Sequence, residues 1–150
     1  MLLLVNTTDI LVHDLMKEPV SIREDTTIGE MLEIIKKEKI ILVSVTDKNN
    51  TLIGTVTEYD LIKLVKPGSL SPLAGTVWLN SIEKSQKDRP VREIMNNKPV
   101  SISQNDSIDA ALKTMSNYEG LRVLPVVDSE NKLIGIIRIR DVFEKLFTDV

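Results

Sequence analysis

The stretch LIGTVTEYDL, Leu52–Leu61, returns as LIGIIRIRDV at Leu133–Val142, 81 positions later (141 − 60). A second pair of matching blocks lies upstream, at 15–22 and 94–102, in the same order. A period this long that occurs only twice indicates two copies of a small domain, not a solenoid. We therefore expect each copy to need the other to cover an apolar face, and we expect function where the copies meet.

The composition is that of an ordinary globular protein, and it excludes several kinds of chemistry. The 150 residues carry a net charge of −3 with 3% aromatic residues, so neither nucleic acid nor an anionic membrane is an expected partner. The chain has no cysteine and a single histidine, His13, which argues against a thiolate metal site, a zinc centre or a serine-type triad. No nucleophile, base and orienting group form a set, so we predict no catalytic residue, no metal site and no enzyme activity.

Each copy changes from helical to extended periodicity along its length. Apolar residues at helical spacing predict an amphipathic helix, and two β-branched runs joined by a turn follow it. The predicted elements are short strands at 20–22 and 100–102, helices containing 28–35 and 108–115, strands at 41–45, 52–57, 123–127 and 133–137, and helices at about 58–65 and 139–147. The fold class is therefore α/β, or α+β by some schemes, with a β-α-β-β-α unit in each copy.

The segment between the copies does not repeat, and proline and glycine punctuate it. We predict one domain at 10–66, a linker at 67–89 and a second domain at 90–150. The linker is apolar around Trp78, so we expect it to pack on the pair and not to form a free tether.

The first residues are apolar but do not form a long hydrophobic run. Polar residues at 6–9 interrupt the stretch Met1–Val5 before a signal peptide or a membrane span could form. We therefore expect a cytoplasmic protein that does not contact a membrane.

The ordered motifs resemble a tandem pair of CBS domains, the module named for cystathionine beta-synthase. In each copy a Met precedes Pro-Val-Ser-Ile, and a helix and an apolar strand ending in Asp follow. Leu-Ile-Gly then precedes an Asp, within Thr-x-x-Asp in the first copy. The second copy has the typical LPVVD at 124–128, whereas the first has VSVTD at 43–47. The resemblance covers nearly the whole chain outside the linker and the first ten or so residues, and it is closest to stand-alone pairs of prokaryotic or archaeal type.

The resemblance implies a regulatory binding module and not an enzyme. Such pairs pack two pseudo-symmetric domains sheet to sheet, and they bind AMP, ADP, ATP or S-adenosylmethionine in two clefts between the copies. No covalent cofactor is implied. Two pairs often join into a homodimer, and the bound state is passed to a client protein, which the sequence does not identify.

In CBS domains the Thr of Thr-x-x-Asp contacts phosphate or ribose, and the Asp holds the ribose hydroxyls. Thr57 and Asp60 match these positions, and a carboxylate can accept two hydrogen bonds from a ribose diol. The same two residues are also a good helix cap, so a purely structural role stays open. The residues predicted for this first cleft are Thr57, Tyr59, Asp60, Lys98, Pro99, Ser103, Arg122 and Val123.

The second copy departs from the pattern because Arg138 stands where the first copy has Thr57. Arg138 could fill the phosphate position and block a ligand, or it could clamp a phosphate with help from Arg140. The residues predicted for the second cleft are Pro19, Arg23, Ile41, Leu42, Arg138, Arg140 and Asp141. The rival hypothesis is a structural dimerisation or interaction module whose clefts are vestigial.

Overall fold

The structure is a computed structural model, and it describes residues 8–38, 42–65, 82–118 and 121–148. In chain order its elements are α1 (Val12–Leu15), β1 (Ser21–Arg23), α2 (Ile28–Glu38), β2 (Leu42–Thr46), β3 (Leu52–Thr57), α3 (Glu58–Ile62), α4 (Lys84–Lys87), a 3-10 helix (Val91–Glu93), β4 (Ile102–Ser103), α5 (Ile108–Asn117), β5 (Val123–Val127), β6 (Leu133–Arg138) and α6 (Ile139–Thr148). The predictions made for Met1–Val5, Ile41 and Trp78 fall outside the described residues.

The strands form two sheets of three, ordered β1-β2-β3 and β4-β5-β6. In each sheet the first pair is parallel and the second pair is an antiparallel hairpin. The predicted β-α-β-β-α order is therefore confirmed in both copies, and so is the mixed α/β class.

No helix in the described ranges is long and apolar enough to cross a membrane.

Several boundaries differ from the sequence prediction by one or two residues, and the largest difference is in the helix of the first copy, which was predicted to extend to residue 65. Helix α3 ends at Ile62. The Leu64 N–H donates to the Leu61 carbonyl and the Val65 N–H to the Ile62 carbonyl. These bonds span three residues, so the chain continues as tight turns and not as an α-helix.

The two hairpin turns share one hydrogen-bond pattern. Asp47 Oδ1 accepts the N–H groups of Asn49 and Thr51, both at 2.9 Å, and Asn50 has a φ of 64°. Asp128 Oδ1 accepts two N–H groups in the second copy, where Asn131 has a φ of 63°. Because Asn tolerates this left-handed conformation and Asp caps its own turn, the turn residues set the hairpin register.

Helix α2 covers one face of the first sheet, and α5 covers one face of the second. The first core unites α2 with alternate residues of β2 and β3, and the second core repeats this with α5, β5 and β6. Side chains of a strand point alternately to opposite faces, so one face of each sheet contributes to its core. Within α2, β2, β3, α5, β5 and β6, the fully buried apolar residues are Ile28, Met31, Val43, Val45, Val56, Ile108, Ala111, Leu124, Val126 and Ile137.

The compact units divide the chain differently from the sequence repeat. The first unit is Val20–Pro99, and the second unit joins Met1–Pro19 to Val100–Val150. Each sheet therefore packs with the segment that precedes the first strand of the other copy.

In the second unit, the segment from the chain start pairs with the second copy. Lys17 exchanges two backbone hydrogen bonds with Ile136, at 2.8 and 2.9 Å, and Leu11 bridges to Ser107. Val12 is fully buried in the core of this unit. The segment before β1 is therefore hydrogen-bonded to the β4-β5-β6 sheet and packed in the core of its unit.

In the first unit, residues 82–99 play the equivalent part. Asn96 exchanges two backbone hydrogen bonds with Thr55, at 2.8 and 3.1 Å. Ile82 and Val91 are 3% and 0% exposed and lie in the core formed with α2. The end of the non-repeating stretch is therefore part of the core of the first unit, whereas residues 66–81 lie outside the described part of the chain.

The repeated glycines allow these segments to approach the strands. A Cβ atom on Gly135 would lie 3.0 Å from the Lys17 carbonyl oxygen and from Met16 Sδ. A Cβ atom on Gly54 would lie 3.1 Å from the Asn96 carbonyl oxygen and would overlap the side chain of Met95. A methyl group at either position pushes against a paired backbone segment.

We predict that Gly135→Ala lowers the free energy of unfolding by about 1–3 kcal/mol, because the new methyl overpacks the contact with Lys17. The measurement is thermal and urea unfolding followed by circular dichroism. Gly29→Ala is the comparison, since its nearest neighbours, Lys87 Cβ and carbonyl oxygen, are 3.3 Å away, so the same methyl meets a less tight contact and should cost less stability. Equal stability of Gly135→Ala and wild type would contradict the proposed close approach.

Candidate ligand-binding site

Thr57 and Asp60 mark the change from strand to helix in the first unit. Thr57 ends β3 with extended backbone, φ −119° and ψ 173°, and α3 begins at the next residue. The Thr57 N–H donates to Asp60 Oδ2 at 2.9 Å, and the Thr57 hydroxyl donates to the same oxygen at 3.3 Å. The capping role considered from the sequence is therefore present.

The cap uses only part of the Asp60 carboxylate. Both bonds go to Oδ2, and no other described residue bonds to the Asp60 carboxylate. The residue is half-buried. Oδ1 is therefore left as an acceptor on a carboxylate that the cap already holds in one orientation.

The turn that contains Lys98 is anchored to the strand that carries Thr57. Asn96 is bonded to Thr55 through its backbone, and its side-chain oxygen accepts the Lys98 N–H at 3.0 Å. Lys98 is exposed and Pro99 is half-buried. The first unit thus contains five predicted residues of the first cleft: Thr57, Tyr59, Asp60, Lys98 and Pro99.

The first unit also holds two residues predicted for the second cleft. Arg23 is exposed at the end of β1, and Leu42 is buried at the start of β2. Tyr59, from the first set, has 72% of its surface exposed on α3. The remaining residue of the second set in this copy, Ile41, lies outside the described residues.

Arg138 and Asp141 form a two-point ion pair in the second unit. Arg138 Nε lies 2.6 Å from Asp141 Oδ2, and Nη2 lies 2.8 Å from Oδ1. Asp141 is only 8% exposed, whereas 40% of the Arg138 side chain is exposed. The hydrogen bond to Asp141 raises the pKa of Arg138 above its usual value. Both carboxylate oxygens of Asp141 are therefore hydrogen-bonded to the side chain of Arg138.

Two of the other predicted residues of the second unit, Arg122 and Ser103, take part in local hydrogen bonds. The Ile139 N–H donates to the Arg122 carbonyl at 2.8 Å, which joins the start of α6 to the residue before β5. Ser103 accepts the Asn105 N–H and donates its own N–H to Asp106, so it stabilises a local turn. The exposed or half-buried members are Pro19, Ser103, Arg122, Arg138 and Arg140, and the buried members are Val123 and Asp141.

Sequence reasoning did not select Ser44 as a candidate. Its hydroxyl is the only buried side-chain polar atom in the described part of the chain without a hydrogen-bond partner. Ser44 lies in register with Ser21 and Thr55, which gives the first sheet a polar row. The available signal was the serine in VSVTD, where the second copy has Pro125.

Metal binding has no support in the described residues. No group of three His, Cys, Asp or Glu side chains is placed to hold an ion in residues 8–38, 42–65, 82–118 or 121–148.

The family and the relatives were identified by comparison of sequence and fold. A model of the CBS domain matches residues 12–67 and again 91–148. The uncharacterized protein MJ1426 of Methanocaldococcus jannaschii is 29% identical over 159 aligned residues, which cover 95% of this chain and 94% of that protein. Several other curated relatives are longer, and this chain spans 22% to 54% of the length of five of them.

Solved structures share the fold. The structure of CBSX2 in complex with AMP has a TM-score of 0.74 at 24% identity and covers 93% of this chain and 98% of that one. The CBS domain pair of MJ0100, solved with 5'-methylthioadenosine and S-adenosyl-L-methionine, has a TM-score of 0.70 at 22% identity with the same coverage. At these identities the likeness concerns the fold.

We predict that Asp141→Asn destabilises the protein more than Asp60→Asn does. The change removes the charge from a buried group that accepts two guanidinium bonds, at a cost of about 1–3 kcal/mol. Asp60→Asn keeps an oxygen for the cap, so we expect a loss below about 1 kcal/mol. Urea unfolding at neutral pH measures both, and equal losses would contradict the difference between the two carboxylates.

Proposed function

Because this chain belongs to the CBS domain family and carries the domain twice, we propose that it is a regulatory module that binds an adenosine-containing ligand and is not an enzyme. CBS pairs are in general regulatory. The fold neighbours CBSX2 and MJ0100 were solved with AMP and with two adenosyl sulfur compounds, respectively. The candidates for this chain are AMP, ADP, ATP and S-adenosylmethionine, which share the ribose of adenosine.

The proposal rests on the hydrogen bonding of the Asp60 carboxylate. Its Oδ2 is held by Thr57, and its Oδ1 has no partner among the described residues. A carboxylate whose orientation is already fixed accepts a hydroxyl hydrogen without a further loss of side-chain freedom. A ribose diol offers two such hydrogens, and Oδ1 has two lone pairs to accept them. Bonds to a charged acceptor are the strong ones.

Regulation follows from a difference in affinity between conformations. A ligand that binds one arrangement of the protein more tightly shifts the population towards it, and the shift cannot exceed that difference. We propose that a cytoplasmic client protein recognises the ligand-bound arrangement. At a ligand concentration of 100 times Kd, the native state gains about 2.7 kcal/mol, so the melting temperature reports binding.

We predict that Asp60→Asn weakens the binding of AMP or S-adenosylmethionine roughly tenfold to a hundredfold, because one charged acceptor of the diol is lost. The measurement is a thermal-shift screen with AMP, ADP, ATP and S-adenosylmethionine, followed by calorimetric titration of each compound that stabilises the protein. No shift with any of the four at millimolar concentration would refute the ligand-binding proposal.

Asp47→Asn is the matched control for this substitution. Asp47 lies in the same unit, and its side chain accepts two turn N–H groups that an asparagine oxygen can also accept. Its variant loses the same charge and is expected to keep wild-type affinity. A similar loss in both variants would mean that charge alone, and not the Asp60 site, governs binding.

A second candidate function, the dimerisation or interaction module, is favoured by the outer surface of α6. Val142 on this helix is fully buried, whereas Phe143 and Phe147 are 44% and 72% exposed with ring centroids 6.0 Å apart. Ile62 stands at the position equivalent to Phe143 (143 − 62 = 81) and is 54% exposed. Exposed apolar clusters of this kind mark interaction surfaces, so we propose that two copies of the chain form a homodimer through these helices.

We predict that the double substitution Phe143→Glu and Phe147→Glu converts a dimer into a monomer, because two carboxylates cannot be buried against a second copy. Light scattering coupled to size exclusion gives the mass of each form. Tyr118→Glu is the control, since Tyr118 is exposed to 52% but lies at the end of α5. A wild-type monomer would refute the dimer, and a dimer without any ligand response would favour the interaction module.

A further inference from the structure

The equivalent carboxylates of the two copies are occupied differently. Asp60 and Asp141 stand 81 positions apart (141 − 60), and so do Thr57 and Arg138 (138 − 57). Thr57 engages only one oxygen of Asp60, whereas Arg138 engages both oxygens of Asp141. The residue three positions before each Asp thus decides how many of its carboxylate oxygens remain available to a ligand.

We propose that Arg138 is an internal occupant of the second carboxylate, so that this chain binds one adenosyl ligand, at Thr57 and Asp60, and the second position is closed. The inference rests on the proposed function, because it concerns the stoichiometry of the same binding activity. It assigns Arg138 as the residue that determines which copy binds.

The geometry explains why a ribose cannot readily displace the guanidinium. The planar fork of Arg138 matches the carboxylate with two short charge-assisted bonds, whereas ribose hydroxyls are neutral donors. Asp141 is 8% exposed, and a buried carboxylate that loses its cation pays a desolvation penalty. Arg138 is attached to the same chain three residues away, so it competes with any free ligand without a loss of translational freedom.

The same contacts argue against Arg138 as a phosphate clamp. Its Nε and Nη2 edge faces Asp141, and withdrawing this edge towards an anion would leave the buried carboxylate unpaired. Within the described part of the chain, the exposed Arg140 is not hydrogen-bonded to Asp141, so it does not replace Arg138 there. The phosphate-clamp alternative is therefore an outcome that the experiment has to test.

The test is calorimetric titration with AMP and with 5'-methylthioadenosine, which keeps the ribose diol but has no phosphate. We expect about one site per chain in wild type and about two in Arg138→Thr, where the second copy gains the first copy's Thr-x-x-Asp. The reciprocal variant Thr57→Arg should lose the first site, with at least a tenfold weaker Kd. Thr57→Arg leaves Asp141 paired, so it tests the proposal even if Arg138→Thr fails to fold.

Lys113→Thr is the control, because it removes one cation whose partner, Asp109, lies 3.3 Å away on the same helix. It should keep one site. Two sites in wild type, one site both in wild type and in a folded Arg138→Thr, or unchanged binding by Thr57→Arg would each overturn the inference. So would a loss of AMP affinity in Arg138→Thr with 5'-methylthioadenosine unaffected, which is the result expected of a phosphate clamp.

The same titrations separate this inference from the proposed function. Wild type without any site, but one site in Arg138→Thr, would refute binding at Asp60 and support closure by Arg138. One site in wild type that stays one in Arg138→Thr would support binding and refute closure. No site in either protein would refute both.

Discussion

The backbone hydrogen bonds that join Lys17 to Ile136 and Asn96 to Thr55 are the contacts on which each unit depends. Through them, each three-stranded sheet gains a segment that precedes the first strand of the other copy. A sheet of three short strands with one helix buries little surface, so these added residues complete a core that would otherwise be marginal. The glycine of each Leu-Ile-Gly motif is needed because any side chain there would meet the paired segment.

This exchange also positions the candidate sites. In the first unit, the strand paired with Asn96 ends at Thr57, and the helix that follows places Asp60 within hydrogen-bond distance of the Thr57 N–H. The strand paired with Lys17 ends at Arg138 and continues into α6 in the same way. The same Asp therefore belongs to the helix cap and is the candidate ligand acceptor. The residue three positions before it decides how many of its carboxylate oxygens remain available to a ligand.

In the proposed function, the ligand and the second copy would contact different parts of helices α3 and α6. The first turns of α3 and α6 carry the carboxylates, while exposed Ile62, Phe143 and Phe147 follow them in sequence. Because the two sets are adjacent on short helices, a ligand that changes the helix start can alter the outer surface that a second copy or a client would contact. Regulation of this kind needs only a small free-energy difference between two arrangements.

The sequence by itself determined the local structure and the identity of the first carboxylate. Period-3.6 and period-2 patterns report on neighbours along the chain, so they predicted the two β-α-β-β-α units. The spacing of Thr57 and Asp60 indicated a cap, and the resemblance to CBS domains implied that they also contact a ligand. The family was recognisable because its motifs recur in order. Helix α3 was predicted three residues too long, since apolar residues beyond Ile62 form turns that packing selects over helix.

Only the tertiary structure decided which segment completes which sheet and what Arg138 contacts. Pairing of Lys17 with Ile136 joins residues more than a hundred positions apart, and no local pattern encodes such a partner. Arg138 has a long side chain with several donors, so its sequence position was compatible with blocking a site or with clamping a phosphate. The burial of Asp141 and the geometry of the guanidinium select the ion pair, because a buried carboxylate requires its cation.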